Sequence, residues 1–313
     1  ILGAGLIVLF TLVNILGTQL GGGLQVLGSG LKVALIAGIV LGGLTLGHGR
    51  VANFESYLPA HSGGIAGFFV ALVAALWAYD GWTNASMIGS DIRNPEKNLP
   101  RALIWGTAAV IAIYVLINAA YLYVLSAPEV GASQRVAADM MRRVAGSTGA
   151  GIVSIAAIVS ILAGLNGVIL SGSRVPFAMA RDKYFFGWVG GISRFETPAA
   201  SLALQGGWSL LLLASGRFED LISMVIFTEW ILYGMSTAGV LVLRRTRPEM
   251  VRPYRVWGYP LVPMVFVLVA VALLYATLRQ SPRESGMGLG LIVIGLPFYY
   301  YWNGRRSRPG KSV

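Results

Sequence analysis

Four ionisable side chains, Lys32, Asp80, Arg174 and Glu229, fall inside long apolar runs of the chain. A charge at mid-bilayer depth costs about 2.5 to 3.5 kcal/mol on insertion scales, so each needs a physical reason to be there. Lys32 sits only about six residues inside its run, so either its long stem carries the ammonium to the membrane surface or it faces inward, where burial lowers its pKa and lets it gain and lose a proton. Arg174 lies close to the end of its run, which favours snorkelling or pairing with a loop acid. Glu229 is more central and reads equally as a cavity-facing polar group or as a hydrogen-bonding partner for another helix.

The densest chemistry is in Leu76-Trp77-Ala78-Tyr79-Asp80-Gly81-Trp82-Thr83-Asn84. An acid, a glycine and a polar pair stand there between three aromatics, which weakens a helix where lipid cannot satisfy the freed backbone groups. Such a break is tolerated where it lines a cavity, and transporters use unwound mid-membrane backbone to bind charged groups of a solute. A continuous helix with Asp80 paired to a neighbour is the alternative. A second polar set, Gly164, Asn166, Gly167, Ser171, Gly172 and Ser173, shares one run. Small residues at this spacing let helices approach closely, and Asn166 and the serines are also candidates to face an ion or solute path.

Enzyme chemistry finds no foothold. An intramembrane aspartyl protease needs a second acid in a Gly-x-Gly-Asp setting, and a rhomboid-like pair needs a His within a span, whereas His48 and His61 share one polar connection. Metal-ligand clusters, phosphate loops and dinucleotide fingerprints are missing from the sequence, so no metal or cofactor is expected. The absence of Cys removes disulfides and thiolate ligands.

These residues need a membrane scaffold to position them. The chain is 56% hydrophobic and 12% charged, with mean hydropathy +0.70, against about 25% charged residues in soluble domains. The apolar runs are long and continuous, which predicts an all-α polytopic membrane protein rather than a barrel. Nine spans are expected, over about 1–20, 26–47, 65–90, 102–126, 150–180, 199–215, 220–243, 260–278 and 287–303. The net charge of +11 would suggest nucleic acid in a soluble protein. Here the cations sit between the apolar runs and read as topology, so no nucleic-acid partner is expected.

One set of connections (21–25, 91–101, 181–198, 244–259 and the tail from 304) carries fifteen Lys and Arg, and the alternate set carries seven. The positive-inside rule makes the first set, and with it the C-terminus, cytoplasmic. The apolar start at Ile1, with no basic leader or cleavage site, reads as an N-terminal truncation.

Tyr79-Asp80-Gly81-Trp82, followed by Asn94-Pro95-Glu96-Lys97-Asn98-Leu99-Pro100, resembles the aromatic-x-Gly-Trp and Asn-Pro-x-x-Asn-Leu-Pro pattern of the amino acid-polyamine-organocation superfamily. Asn166-Gly167, Ser173-Arg174 and Ala180-Arg181-Asp182 resemble its eighth helix and the loop after it. Arg244-Arg245-Thr246-Arg247-Pro248-Glu249, Arg252-Pro253-Tyr254-Arg255 and Gly258-Tyr259-Pro260 resemble the basic loop before its eleventh helix. Within the superfamily, the L-type amino acid transporter branch, with its bacterial serine/threonine-exchanger-like members, looks most similar.

The resemblance implies a LeuT-type inverted-repeat helical bundle lacking its first three helices. On that reading 1–313 is a single transporter domain, with 1–47 ending the first repeat, 65–243 forming the second and 260–303 adding two C-terminal helices. It implies a secondary carrier of amino acids or related amines, working by exchange or with a proton as coupling ion, in a bacterial plasma membrane. Trp77, Ala78, Tyr79, Asp80, Gly81 and Thr83 fall on the family's broken sixth helix, where freed backbone groups receive the substrate. Asp80 stands where many members carry Gly. Lys32 aligns with a fifth-helix lysine that organises the coupling site, with Asn166 and Ser171 as further coupling candidates and Glu229 as a polar group of the cavity. With no Cys, a disulfide-linked subunit is not expected. A non-transporting membrane scaffold or receptor-like subunit is the competing expectation, and it predicts Asp80 and Lys32 against neighbouring helices with no hollow beside them.

Overall fold

The computed structural model describes residues 1–47, 49–54, 64–215 and 218–306. His48, His61, Arg217 and the basic tail from 307 lie outside the described residues. Within them the secondary structure is entirely helical. In chain order the helices are α1 (Leu2–Leu16), α2 (Thr18–Leu46), α3 (Gly64–Ala78), α4 (Asn84–Met87), α5 (Pro95–Val124), α6 (Ala127–Ala132), α7 (Val136–Gly172), α8 (Arg174–Arg181), α9 (Ala199–Ser215), α10 (Phe218–Thr246), α11 (Leu261–Gln280) and α12 (Pro282–Arg306).

Five stretches among the described residues are long and apolar enough to cross a membrane unaided: α2, α5, α7 with α8, α10 and α11. The apolar helices α1 and α9 are shorter, α3 stops after 15 residues, and α12 is 25 residues long but less apolar.

Three boundaries differ from expectation, each for a local reason. The first connection is not 21–25 but the single residue Gly17, and Gly21 lies inside α2. A Cβ at Gly21 would overlap Asn14 Oδ1, so this bare Cα is what lets α1 close onto α2. Helix α5 begins seven residues before the expected 102, because Pro95 occupies the first helical turn, where its missing N–H costs nothing. The run expected at 150–180 starts at Val136, turns at Ala145 and Gly146, where Gly146 takes φ 61, and breaks again at Ser173. Only glycine adopts the φ 61, ψ -146 backbone of residue 146 without strain.

The interior sits where α2 packs along α7 and α5 closes over both. Ile39, Ala120, Val124, Leu125, Met140, Met141 and Ala156 form this core. Small residues set the spacing: Gly28 abuts Ala163, and Gly43 abuts Met140 and Ala120. At one end of the bundle the Ser126 capping box binds Glu129, and Arg143 clamps Glu129 at 2.6 Å while also donating to the Val124 carbonyl. The Arg143 guanidinium and the Ser126 donors hold the Glu129 carboxyl down at about 2, so this clasp is ionised at neutral pH.

The other end gathers the connections richest in Lys and Arg. There Arg174, only 8% exposed, takes the loop acid Asp91. Its Nε and Nη2 donate to Asp91 Oδ2 at 2.9 and 2.7 Å. Of the two readings left open for Arg174, pairing is the one adopted. Asp91→Asn would leave a buried guanidinium with a neutral acceptor, and a loss of about 1.5 to 3 kcal/mol is expected. Denaturation in mixed detergent micelles measures it, and an unchanged midpoint would show that the pair contributes nothing.

Candidate functional site

Helix α3 ends at Ala78 and the chain resumes helical form only at Asn84. Five residues, Tyr79 to Thr83, make the crossing without an α-helical ladder. The Tyr79 N–H reaches back only three residues, to the Leu76 carbonyl at 3.1 Å, and the Asn84 N–H bonds the Gly81 carbonyl at 3.1 Å. Gly81 adopts φ 96, a left-handed backbone that residues with a Cβ rarely hold. The sequence cause is direct, since Asp and Gly are poor helix formers and Gly alone supplies the positive φ.

The break is held from two sides. From α5, the Tyr114 hydroxyl donates to the Ala78 carbonyl at 2.6 Å, satisfying a group that the ended helix left unpaired. Its ring meets Tyr79 edge-on at 4.8 Å. From α10, the Tyr233 hydroxyl donates to Asp80 Oδ1 at 3.1 Å and lies 3.3 Å from Thr83 Oγ1. An aromatic wall backs this contact: Trp82 lies 5.4 Å from Tyr233 and 6.4 Å from Phe266 of α11, and Trp230 stacks on Phe266 at 5.9 Å. An open recess of about 390 Å³ lies beside the break, lined by Tyr79, Tyr114, Asn118 and Phe54 among others.

Asp80 is exposed and, among the described residues, has no cationic partner. Glu229 is half-buried on α10, one turn before Tyr233 and so on the same helix face. Two acids 149 positions apart in sequence are thus brought near one another beside Tyr233. Trp77 is the last residue but one of α3, and its side chain lies outside what the structure describes.

The coupling candidates sit elsewhere, on α2 and α7. Asn166, 1% exposed, accepts from Asn14 Nδ2 at 2.9 Å and donates to the Gly21 carbonyl and to Gln25 Oε1, each at 3.0 Å. It ties α1, α2 and α7 together. Ser171 Oγ donates to the Gly167 carbonyl at 2.9 Å within its own helix. Lys32 is half-buried on α2 with no hydrogen bond or ion pair among the described residues. The break and this knot are linked through α7, which packs against α4.

Sequence reading missed Tyr114, Tyr233, Trp230, Phe266 and Asn14. Only Tyr233 and Trp230 carried a local signal, as polar-tipped aromatics flanking Glu229 within one run.

The amino acid permease family profile matches residues 1–296. The chain belongs to the amino acid permease family. Among its curated relatives, the b(0,+)-type amino acid transporter 1 of Rattus norvegicus is 31% identical over 311 residues, covering 96% of this chain and 63% of the relative. The serine/threonine exchanger SteT of Bacillus subtilis (strain 168) is 33% identical over 314 residues, covering 98% of this chain and 70% of that protein. The cystine/glutamate transporter of Homo sapiens is 28% identical over 269 residues, 85% of this chain and 53% of its own length. The chain thus spans between about half and 70% of the length of these relatives. This permease is an all-α integral membrane protein, and the relatives are named transporters and exchangers rather than enzymes.

Proposed function

We propose that this permease is a secondary carrier of amino acids or related amines, in which alternating access works about the broken helix at Tyr79 to Thr83. One observation carries the reading: inside a membrane protein, five residues leave the helical ladder beside an open recess and present at the crossing an acid, Asp80, with no cationic partner among the described residues. Lipid does not tolerate such backbone, whereas a solute path does. The names of the relatives support amino acid transport with exchange.

In this reading Ala78, Tyr79, Asp80, Gly81 and Thr83 meet the substrate, with Trp77 beside them. Asp80, oriented by Tyr233, receives an ammonium group. Glu229, one turn before Tyr233 on α10, is a further polar group of the cavity. Lys32, half-buried and without a partner among the described residues, is the coupling group, while Asn166 fixes α7 against α2 and Ser171 is a further coupling candidate on α7. The segments 1–47 and 65–243 then belong to successive inverted repeats. The carrier sits in a bacterial plasma membrane with its basic connections and C-terminus cytoplasmic, and it works without a disulfide-linked subunit.

Uptake of radiolabelled neutral and cationic amino acids into proteoliposomes tests this. Asp80→Asn is expected to lower uptake of substrates with a second ammonium by roughly tenfold and that of neutral ones less, since a hydrogen bond to a charged group contributes about 1.5 to 3 kcal/mol. Lys32→Ala is expected to remove the response to an imposed pH gradient. Uptake no greater than in empty vesicles for the whole panel would favour the scaffold reading instead.

A further inference from the structure

The N-terminal half of α5 carries a feature that solute transport does not use. Leu99, Leu103, Ile104, Thr107 and Ile111 line one side of an apolar groove of about 550 Å³, and Tyr254, from the connection between α10 and α11, closes it. From Leu99 to Ile111 the groove runs about 18 Å at 1.5 Å per residue. Half of a roughly 30 Å hydrocarbon core is close to this depth.

The groove begins at the end of the bundle where charge accumulates. Lys97 and Arg101 bracket its first residue, Arg93 precedes the helix, and Arg255 follows Tyr254. None of these four has an acid partner among the described residues, and all are exposed. Of the nearby acids, Asp91 is taken by Arg174, which leaves Glu96 in the first turn of α5 and Glu249, five residues before Tyr254, against four cations. The wall formed by Tyr254 is itself held in place. Arg252 donates to the carbonyls of Leu243, Arg247, Pro248 and Met250, and Arg244 stacks on Tyr259 at 3.9 Å.

We infer that this groove is a binding site for an anionic phospholipid of the leaflet at the basic end of the bundle. One acyl chain lies along α5, and the phosphate is received by Lys97, Arg101 and Arg255. Charge complementarity selects this occupant, because a zwitterionic lipid fills the groove equally well but gains little from an excess of cations over acids, whereas basic side chains at an anionic headgroup add attraction charge by charge.

Native mass spectrometry of the full chain, released from micelles holding equal amounts of phosphatidylglycerol and phosphatidylcholine, reads this without any transport assay. Phosphatidylglycerol is expected to be retained about tenfold over phosphatidylcholine. The substitutions Lys97→Gln, Arg101→Gln and Arg255→Gln are expected to weaken that preference by up to about fivefold each. Ala108→Trp, which fills the groove and leaves the charges in place, is expected to lower retention of phosphatidylglycerol as well. Equal retention of the two lipids by the unmodified protein would overturn the inference even if no variant folds. So would an undiminished preference in the charge variants, or displacement of the lipid by inorganic phosphate, which would show an anion site with no use for the groove.

Discussion

Gly81→Val is expected to reduce amino acid uptake by roughly 30- to 150-fold in protein that still inserts and folds. The argument is conformational rather than steric. A Cβ built at Gly81 meets only Asn84 Nδ2, at 3.4 Å, so space is not what forbids it. The obstacle is φ 96, a backbone state that a β-branched residue reaches only at a cost of about 2 to 3 kcal/mol. The chain would relieve that strain by moving Gly81 back toward helical values. Asp80 and Thr83 would then turn away from the Tyr233 hydroxyl that holds both. Gly81→Ala, with a smaller penalty, is expected to fall between the two. Uptake per reconstituted molecule, with incorporation checked by sedimentation, is the measurement. Transport by Gly81→Val at the unmodified rate would mean that the left-handed residue is incidental to the cycle.

The second large effect is on stability. Asn166→Leu is expected to destabilise the protein by about 2 to 4 kcal/mol, because one substitution removes three interhelical hydrogen bonds and leaves their partners without them inside the bundle. Asn14 would keep only the Phe10 carbonyl as acceptor and Gln25 would lose its Asn166 donor, and α1, α2 and α7 would lose their only common polar contact among the described residues. Because all three bonds belong to one network, Asn14→Leu combined with Asn166→Leu is expected to cost less than the two separate losses added together. Unfolding in mixed micelles with rising denaturing detergent reads both quantities. A shift within about 0.5 kcal/mol for Asn166→Leu would mean that the knot is satisfied equally well in the unfolded membrane-inserted state, as happens in some helical membrane proteins.

The two variants separate the roles of the regions they touch. Gly81 lies where the fold gives up helical hydrogen bonds for exposed polar groups. Asn166 lies where it buries a side-chain amide and matches it across three helices.

Much of this permease was legible in its sequence, because the features concerned are local. Apolar run length and backbone hydrogen bonding over four residues predict helices in a bilayer. The same rules locate the break: Asp80 and Gly81 weaken the ladder wherever the helix goes next. Boundaries were less legible where a neighbour overrides local preference. Three glycines at 21–23 look like a connection, yet they lie within α2, and Gly21 lets α1 approach there.

Partners were not legible at all. Tyr233 meets Asp80 across 153 positions, Asn14 meets Asn166 across 152, and Arg174 meets Asp91 across 83. Sequence alone could state that each buried polar group requires a partner, since an unmatched one is costly in lipid. Choosing that partner depends on which helix faces pack together, and this is fixed by side-chain shape across the whole bundle, a property no single segment carries.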